Sequence, residues 1–452
     1  MKRRDFIGTT LAAGLFGALP SAAIPDVPKT GFTPSAFEEI PLKISGMSLE
    51  ELRDDYRYHL FNLYLPFWDN GGFDEELGGF MCELNDDGTI HDDEKYIWYQ
   101  GRALWVYSFL YNNFGKIPRY LEIAGKTRNF MVKYMHAGNG IWHESVNRVG
   151  SLRQSGGQGS STDIYGALFA AAGFVEYYKA VGNEEDLELA KTSIWTSIQR
   201  YNDPDYTGIT LKDYPNKGLR AQGHSFMLVW TITQLLSFHD DPKLDELVRE
   251  HADLIMNKFW NPDYGISNEI LEHDYTRISG TECSMVPGHT LETQWMVMFE
   301  AMRQRNGTMF YILKTRIRRI LEMCWDYVFD GFCDTGYNVF GTSEYPPGPV
   351  YEEKTMWAHS EILIACLLIL EYTGDVWAKE WFERAWAYTI RTMTTDYGVW
   401  RQAVDRFGEN KKREGISEYR KCNFHQPRAL MYNLLSLDRM IKNNGKLTPF
   451  PL

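Results

Sequence analysis

The sequence predicts an all-α protein, an (α/α)6 barrel around a central pocket, and three observations lead there. Gly-rich segments near Gly79, Gly140, Gly208, Gly265, Gly336 and Gly398 recur at intervals of 61, 68, 57, 71 and 62 residues. Between them run stretches with apolar residues at helical spacing. A period of about 60 residues suits two helices of four turns, one tight turn and one hairpin-like loop. Six such units are a natural number for ring closure, which removes the exposed ends that an open solenoid of helix pairs would keep.

The elements follow in order. Residues 1–25, MKRRDFIGTTLAAGLFGALPSAAIP, are expected to be a twin-arginine export signal: Arg3 and Arg4 precede a short apolar run rich in Gly and Ala, then a small-residue cleavage region. No cysteine follows that region, which argues against a lipid anchor, so a periplasmic or exported protein is expected. Residues 26–45 read as a linker and 46–445 as one barrel domain, because no Pro/Ser-rich stretch interrupts the chain beyond residue 45. No later segment is expected to reach the roughly 20 apolar residues of a membrane span. STDIYGALFAAAGFVEYYKAVGN is predicted to be a helix capped at Thr162 and Asp163 and closed at Gly182. LETQWMVMFEAMRQRNG and HSEILIACLLILEYTGD have the same form, each closing on a glycine.

A chain of 452 residues with 44% hydrophobic content buries a large core. Its 14 Trp and 27 Tyr fill that core and also suit a pocket for ring-shaped ligands such as sugars. A formal charge of −13 with no basic run excludes nucleic acid as a partner. The six cysteines form no C-x-x-C pair and are expected to be mostly buried free thiols. The eleven scattered histidines give no metal-ligand spacing, so no metal is expected. A homodimer is an allowed assembly.

Four segments set polar residues among aromatic ones. In KYIWYQGRALW, Gln100 and Arg102 interrupt an aromatic helix start, where an arginine either snorkels to solvent or offers its donor fork to an oxygen-rich ligand. In PGHTLE, His289 falls in a first helical turn, where the dipole is expected to lower its pKa and keep a neutral base. Glu292, three residues on, shares its face and could orient the ring, or simply complement the dipole. EEKTMWAHSE carries Lys354, Trp357, His359 and Glu361, which a solvated helix start would also explain, and KCNFHQPRAL carries His425 and Arg428.

Together, WYQGRALW, PGHTLE, KTMWAHSE and KCNFHQPRAL, in this order from Leu49 to Leu437, resemble the N-acylglucosamine 2-epimerase family, which includes cellobiose 2-epimerases and mannose-type aldose–ketose isomerases. The resemblance implies the same barrel of six helix pairs. It also implies a sugar epimerase, acting on a mono- or oligosaccharide, that inverts C2 of an N-acylglucosamine-type or related aldose through ring opening and an enediolate. His289 and His425 would be the acid/base pair, with Glu292 as partner of His289. Arg102 would bind the oxygens around C1 and C2. Trp357 and Glu361 match pocket-wall positions, and Gln100, His359, Arg428 and a slightly offset His224 are further candidates for substrate contact. The chemistry suits these types, since histidine titrates near neutrality and a fixed cation stabilises an enediolate oxygen. No cofactor is required by this route, and an exported enzyme would meet little ATP. Return of the proton to C1 would give an aldose–ketose isomerase. Rival readings are an exported (α/α)6 glycoside hydrolase using carboxylates such as Asp163, Glu176 and Glu292, and a binding protein without turnover.

Overall fold

Helices begin where the sequence supplies a cap. In the computed structural model, which describes residues 43–152, 163–209, 211, 214–334, 353–411 and 417–450, Ser48 and Glu51 form a reciprocal capping box that opens α1 (Leu49–Arg57). This helix continues through wider, π-type turns over Tyr58–Tyr64. After it come α2 (Ile97–Asn113), α3 (Pro118–Phe130), α4 (Tyr165–Val181), α5 (Glu184–Tyr201) and α6 (Gln222–Leu236). The second half carries α7 (Pro242–Leu254), α8 (Pro287–Arg303), α9 (Gly307–Cys324), α10 (Met356–Thr373), α11 (Val376–Tyr388) and α12 (His425–Lys442).

The even-numbered helices form the inner ring. Each packs on the next, from α2 through α4, α6, α8 and α10 to α12, which returns to α2. They are buried on nearly every side, whereas outer helices such as α7 and α9 bury one face. The pairing is offset by one helix: α1 packs outside α12, so the first helix completes the last pair, with the Asn433 amide donating to Tyr56 Oη at 3.3 Å. The fold is the predicted (α/α)6 barrel.

Two details differ from expectation. Gly182 and Gly374 do close α4 and α10 in the left-handed conformation, with φ of 68° and 70°. Gly307 instead opens α9, because Asn306 caps that helix and Arg305 takes the left-handed turn at φ 56°. Helix α10 is long and apolar enough to meet a membrane-span criterion, contrary to the reading that no segment would; most of it is buried in the inner ring.

The Gly-rich loops carry the short strands. Lys95–Tyr96, Arg220–Ala221 and Lys354–Thr355, each directly before an inner helix, pair antiparallel with Ser145–Val146, Ile270–Leu271 and Ala403–Val404. Buried ion pairs reinforce them. The Lys95 ammonium lies 2.9 Å from Asp74, which Arg148 also contacts at 2.8 Å, and Lys354 with Asp326 and Arg406 repeats the arrangement. The start of α10 is therefore buried structure rather than a solvated helix end. Cys82, Cys324, Cys333, Cys366 and Cys422 are buried free thiols. The export signal and residues 26–42 of the linker lie outside the described residues, as does Thr162; Lys43–Ile44 already pairs with Met47–Ser48.

Candidate active site

A cavity of about 180 Å³ opens where the inner helices begin, lined by Trp98, Arg102, Tyr165, His289, Glu292, Trp357 and His425 among others. The helix starts approach closely because small residues sit at the contacts. A Cβ on Gly101 would stand 2.5 Å from the backbone of Phe169, and one on Gly288 would stand 2.4 Å from the Trp357 ring and 2.5 Å from Asp334 Oδ1. The glycine of PGH is thus the room into which the indole fits. That indole lies between the two imidazoles, with ring centroids 5.1 Å from His289 and 5.6 Å from His425.

Each histidine is held through Nδ1, leaving Nε2 for a ligand. His289 Nδ1 is 2.8 Å from Glu269 Oε1, and His425 Nδ1 is 2.8 Å from Glu361 Oε1. The partner of His289 is therefore Glu269, in the loop before α8 between the short strands Ile266–Ser267 and Ile270–Leu271, and not Glu292. The reason is geometric: in the first turn of α8 the ring reaches the neighbouring loop, while Glu292, one turn deeper, meets α12. Glu292 instead accepts from Arg428 at 2.5 Å, and the same guanidinium nitrogen donates to Glu361 Oε1 at 2.7 Å. Glu361 is fixed further by the Trp295 indole N–H at 2.9 Å. Glu292, Glu361 and His425 approach within 4.8 Å in the manner of a cation site, but Arg428 already supplies the positive charge that bridges both carboxylates.

The two environments push the imidazoles apart. Burial disfavours the cation at His289, but the Glu269 carboxylate, helped by Glu292 and Asp334, overrides it and raises the pKa to about 9. The expected lowering by the helix dipole is overturned by this ion pair. At His425 burial dominates; although Glu292 opposes it, Arg102, Arg428 and His289 assist, and the pKa lies well below the usual value. Burial also pushes the Glu361 carboxyl up against the pull of Arg428. One histidine is thus a cation and the other neutral across a wide pH range.

Arg102 stacks among Phe169, Trp98 and Phe424, with its guanidinium carbon 4.2, 4.7 and 5.1 Å from their centroids. It forms no ion pair among the described residues, and its buried Nε has no partner. A cation held by rings rather than by a carboxylate keeps its donors for a ligand.

Four sequence candidates stand elsewhere: Gln100, His359, His224 and Arg428. Gln100 is fully buried and clamps the Phe80 backbone, accepting from its N–H at 2.7 Å and donating to its carbonyl at 2.8 Å. Gln426 does the same with Trp400 N–H and the Gly398 carbonyl. His359 plays the equivalent part, accepting from Phe332 N–H at 3.0 Å while its Nδ1 faces the Thr355 carbonyl at 2.7 Å. These side chains pin loops to helix starts, so the Gln100 and His359 assignments to substrate contact are corrected. His224 lies behind Tyr165, with Nε2 2.8 Å from Asp163 Oδ1. Arg428 is buried beneath the cavity, tied to carboxylates rather than exposed to a ligand. Of the hydrolase candidates, Glu176 lines a separate cavity towards the other end of the inner helices. Asp163 pairs with His224 and Glu292 with Arg428, so they present no opposed carboxylate pair.

Sequence reasoning missed Glu269 and Tyr165. Glu269 lies in a loop, where no helical spacing marks it. Tyr165 opens α4 as Trp98 and His289 open theirs, so its register was the available signal.

Residues 78–419 match the family model described as N-acylglucosamine 2-epimerase (GlcNAc 2-epimerase). The N-acylglucosamine 2-epimerase of Bos taurus is 24% identical over 399 residues, covering 82% of this chain and 89% of the relative. The cellobiose 2-epimerase of Dictyoglomus turgidum is 29% identical over 409 residues, covering 85% and 98%. The solved structure of cellobiose 2-epimerase from Spirochaeta thermophila superposes with a TM-score of 0.72 at 17% identity, covering 87% of this chain and 98% of that one.

Proposed function

Since the chain belongs to the N-acylglucosamine 2-epimerase family and is an isomerase of that class, we propose that it inverts C2 of an N-acylglucosamine-type or related aldose, with His425 and His289 as the proton-transfer pair. The observation that carries this reading is two imidazoles at one cavity, each held through Nδ1 by a carboxylate, beside an arginine with no ion pair among the described residues; their surroundings push one pKa up and the other down. Environments that push two groups apart assign the base and the acid. After ring opening, His425 Nε2 removes the C2 proton. The C–H electron pair forms the C1–C2 double bond, and the carbonyl pair moves onto O1. Arg102 stabilises the oxygen that gains charge, which acts mainly on the transition state. Protonated His289 then delivers a proton to the opposite face of C2, its imidazolium maintained by Glu269. As the new C2–H bond forms, the O1 pair re-forms the C1 carbonyl; formation of the epimer leaves His425 protonated and His289 neutral, and proton exchange with water restores both. The twin-arginine pattern at Arg3 and Arg4 supports a reaction outside the cytoplasm.

The test is to incubate the enzyme with N-acetylglucosamine, mannose, glucose and cellobiose in deuterated water and follow C2 by NMR. Deuterium at C2 with epimer formation is expected, and His289→Ala and His425→Ala should each slow it by about 10²–10⁴-fold. Ketose formation would instead mean that the proton returns to C1. Absence of exchange with every sugar would sink the proposal.

A further inference from the structure

The six inner helices enclose another cavity, of about 600 Å³, towards their C-terminal ends and away from the histidines. Its volume lies within the roughly 300–1,000 Å³ usual for organic ligands. Every inner helix contributes to it, from Phe109 on α2 and Glu176 on α4 to Trp230 on α6, Phe299 on α8, Leu368 on α10 and Tyr432 on α12. None of these residues lines the histidine cavity.

Glu176 is the polar residue in this wall that packing does not explain. It is 2% exposed, and only Oε1 is engaged, accepting from the Asn112 amide at 2.7 Å. Oε2 has no hydrogen-bond partner among the described residues, and no cation there stands within ion-pair distance of the carboxyl. Burial pushes its pKa up, with Lys179 and Asn112 opposing. A buried carboxyl with an idle oxygen at a cavity wall costs free energy that a bound donor would recover.

Aromatic rings form much of the same wall. The Tyr432 ring lies 5.4 Å from Phe109 and 5.6 Å from Phe299 between centroids, and the Trp230 indole N–H donates to Tyr432 Oη at 3.1 Å. The Glu176 charge is felt at the Tyr432 hydroxyl, so carboxyl and rings share one space. The negative ends of the inner-helix dipoles also lie at this end. Ring faces, a carboxylate and helix C-termini all favour a cation.

The basic residues at the mouth leave that preference intact. Glu300 neutralises Arg303 at 2.7 Å, and Glu371 neutralises Arg439 at 2.6 Å. Lys179 and Arg305 form no ion pair among the described residues, but both are exposed, where water and salt screen them.

We propose that this cavity binds an organic ammonium ion with an apolar body, an arylalkylamine or a quaternary ammonium, whose cationic head meets Glu176 and whose hydrocarbon packs on Trp230, Phe299 and Leu368. The site is separate from the C2 chemistry, and no covalent bond is made or broken in it.

The test is calorimetric titration of the mature protein with four probes of similar size: phenethylammonium, benzyltrimethylammonium, phenethyl alcohol and 3-phenylpropionate. Each cation is expected to bind with a Kd at least about tenfold below those of the alcohol and the carboxylate. Glu176→Gln keeps the Asn112 contact and should weaken the cations by about tenfold while leaving the alcohol unchanged. Leu435→Trp, which fills the cavity from a partly exposed position on α12, should weaken both cations about tenfold or more and decides the matter even if Glu176→Gln does not fold. Equal Kd values across the four probes, or tightest binding of 3-phenylpropionate, would overturn the proposal. Undiminished cation binding in Leu435→Trp would place the bound amine elsewhere and overturn it as well.

Discussion

Replacing Glu269 by Gln keeps an oxygen in reach of His289 Nδ1, now 2.8 Å from the carboxylate, but removes the charge that keeps the imidazole protonated. The His289 pKa stands at about 9 against an ordinary 6.5. That difference is about 2.5 units, or about 3 kcal/mol at roughly 1.36 kcal/mol per unit. Glu292 and Asp334 also support the cation, while burial opposes it, so removal of Glu269 alone should lower the pKa by about 1 to 2.5 units. If His289 acts as the acid, kcat/KM of the wild type falls as pH rises through about 9. In Glu269→Gln that alkaline limb should move down by the same interval, while the acid limb set by His425 stays well below neutrality. Stability follows the same sign. A raised folded pKa stabilises fully below the unfolded value of about 6.5 and is lost as pH passes the folded value. The wild-type Tm should therefore decline between about pH 7 and 9.5, and the variant's should decline less. C2 deuterium exchange across pH 5–10 and thermal melts at the same points make the measurement. An alkaline limb at the same pH in both proteins would refute the ion pair as the source of the acid.

Three other outcomes follow from the same geometry. Arg428→Met should lower stability by about 3–5 kcal/mol in denaturant melts, because Glu292 and Glu361 would remain buried with their shared cation gone. Gly288→Ala must displace the Trp357 ring, whose nearest atom would lie 2.4 Å from the new Cβ; a loss of about 1–3 kcal/mol is expected with a larger fall in kcat than in stability. Gln100→Leu should cost about 1–3 kcal/mol by orphaning the Phe80 N–H and carbonyl, with KM of the folded enzyme unchanged; a raised KM would return Gln100 to the pocket.

Much of the architecture was legible because it rests on periodicity. Gly182 and Gly374 end their helices where the pattern stops, and the spacing of the Gly-rich segments counts the pairs. The offset in the pairing, with α1 joining α12, was not legible, since nothing local in Leu49–Arg57 distinguishes a helix that closes the ring from one that begins it. The cavity brings together His289, His425 and Arg102, which stand out in the sequence as polar residues in aromatic helix starts. The same signal misassigned Gln100 and His359, whose polarity serves loop backbones at equivalent helix starts. Glu269 escaped because its role depends on a loop crossing to a helix 20 residues later, a contact that no short window contains. The protonation of His289 was misjudged for the same reason: the helix dipole is visible in sequence, and the stronger carboxylate is not.

The meeting of the first and last helices also bears on how the chain acquires its fold. Tyr56 and Asn433, which touch across that seam, are 377 residues apart, so docking across it carries a large loop-closure entropy. His425 and Arg428 ride on α12 itself, and until it docks Glu292 and Glu361 have no shared cation. A growing chain can stack five helix pairs and still lack a catalytic centre. Ring closure and activity should therefore appear together during refolding, and shortening the chain from its C-terminal end should abolish both at once.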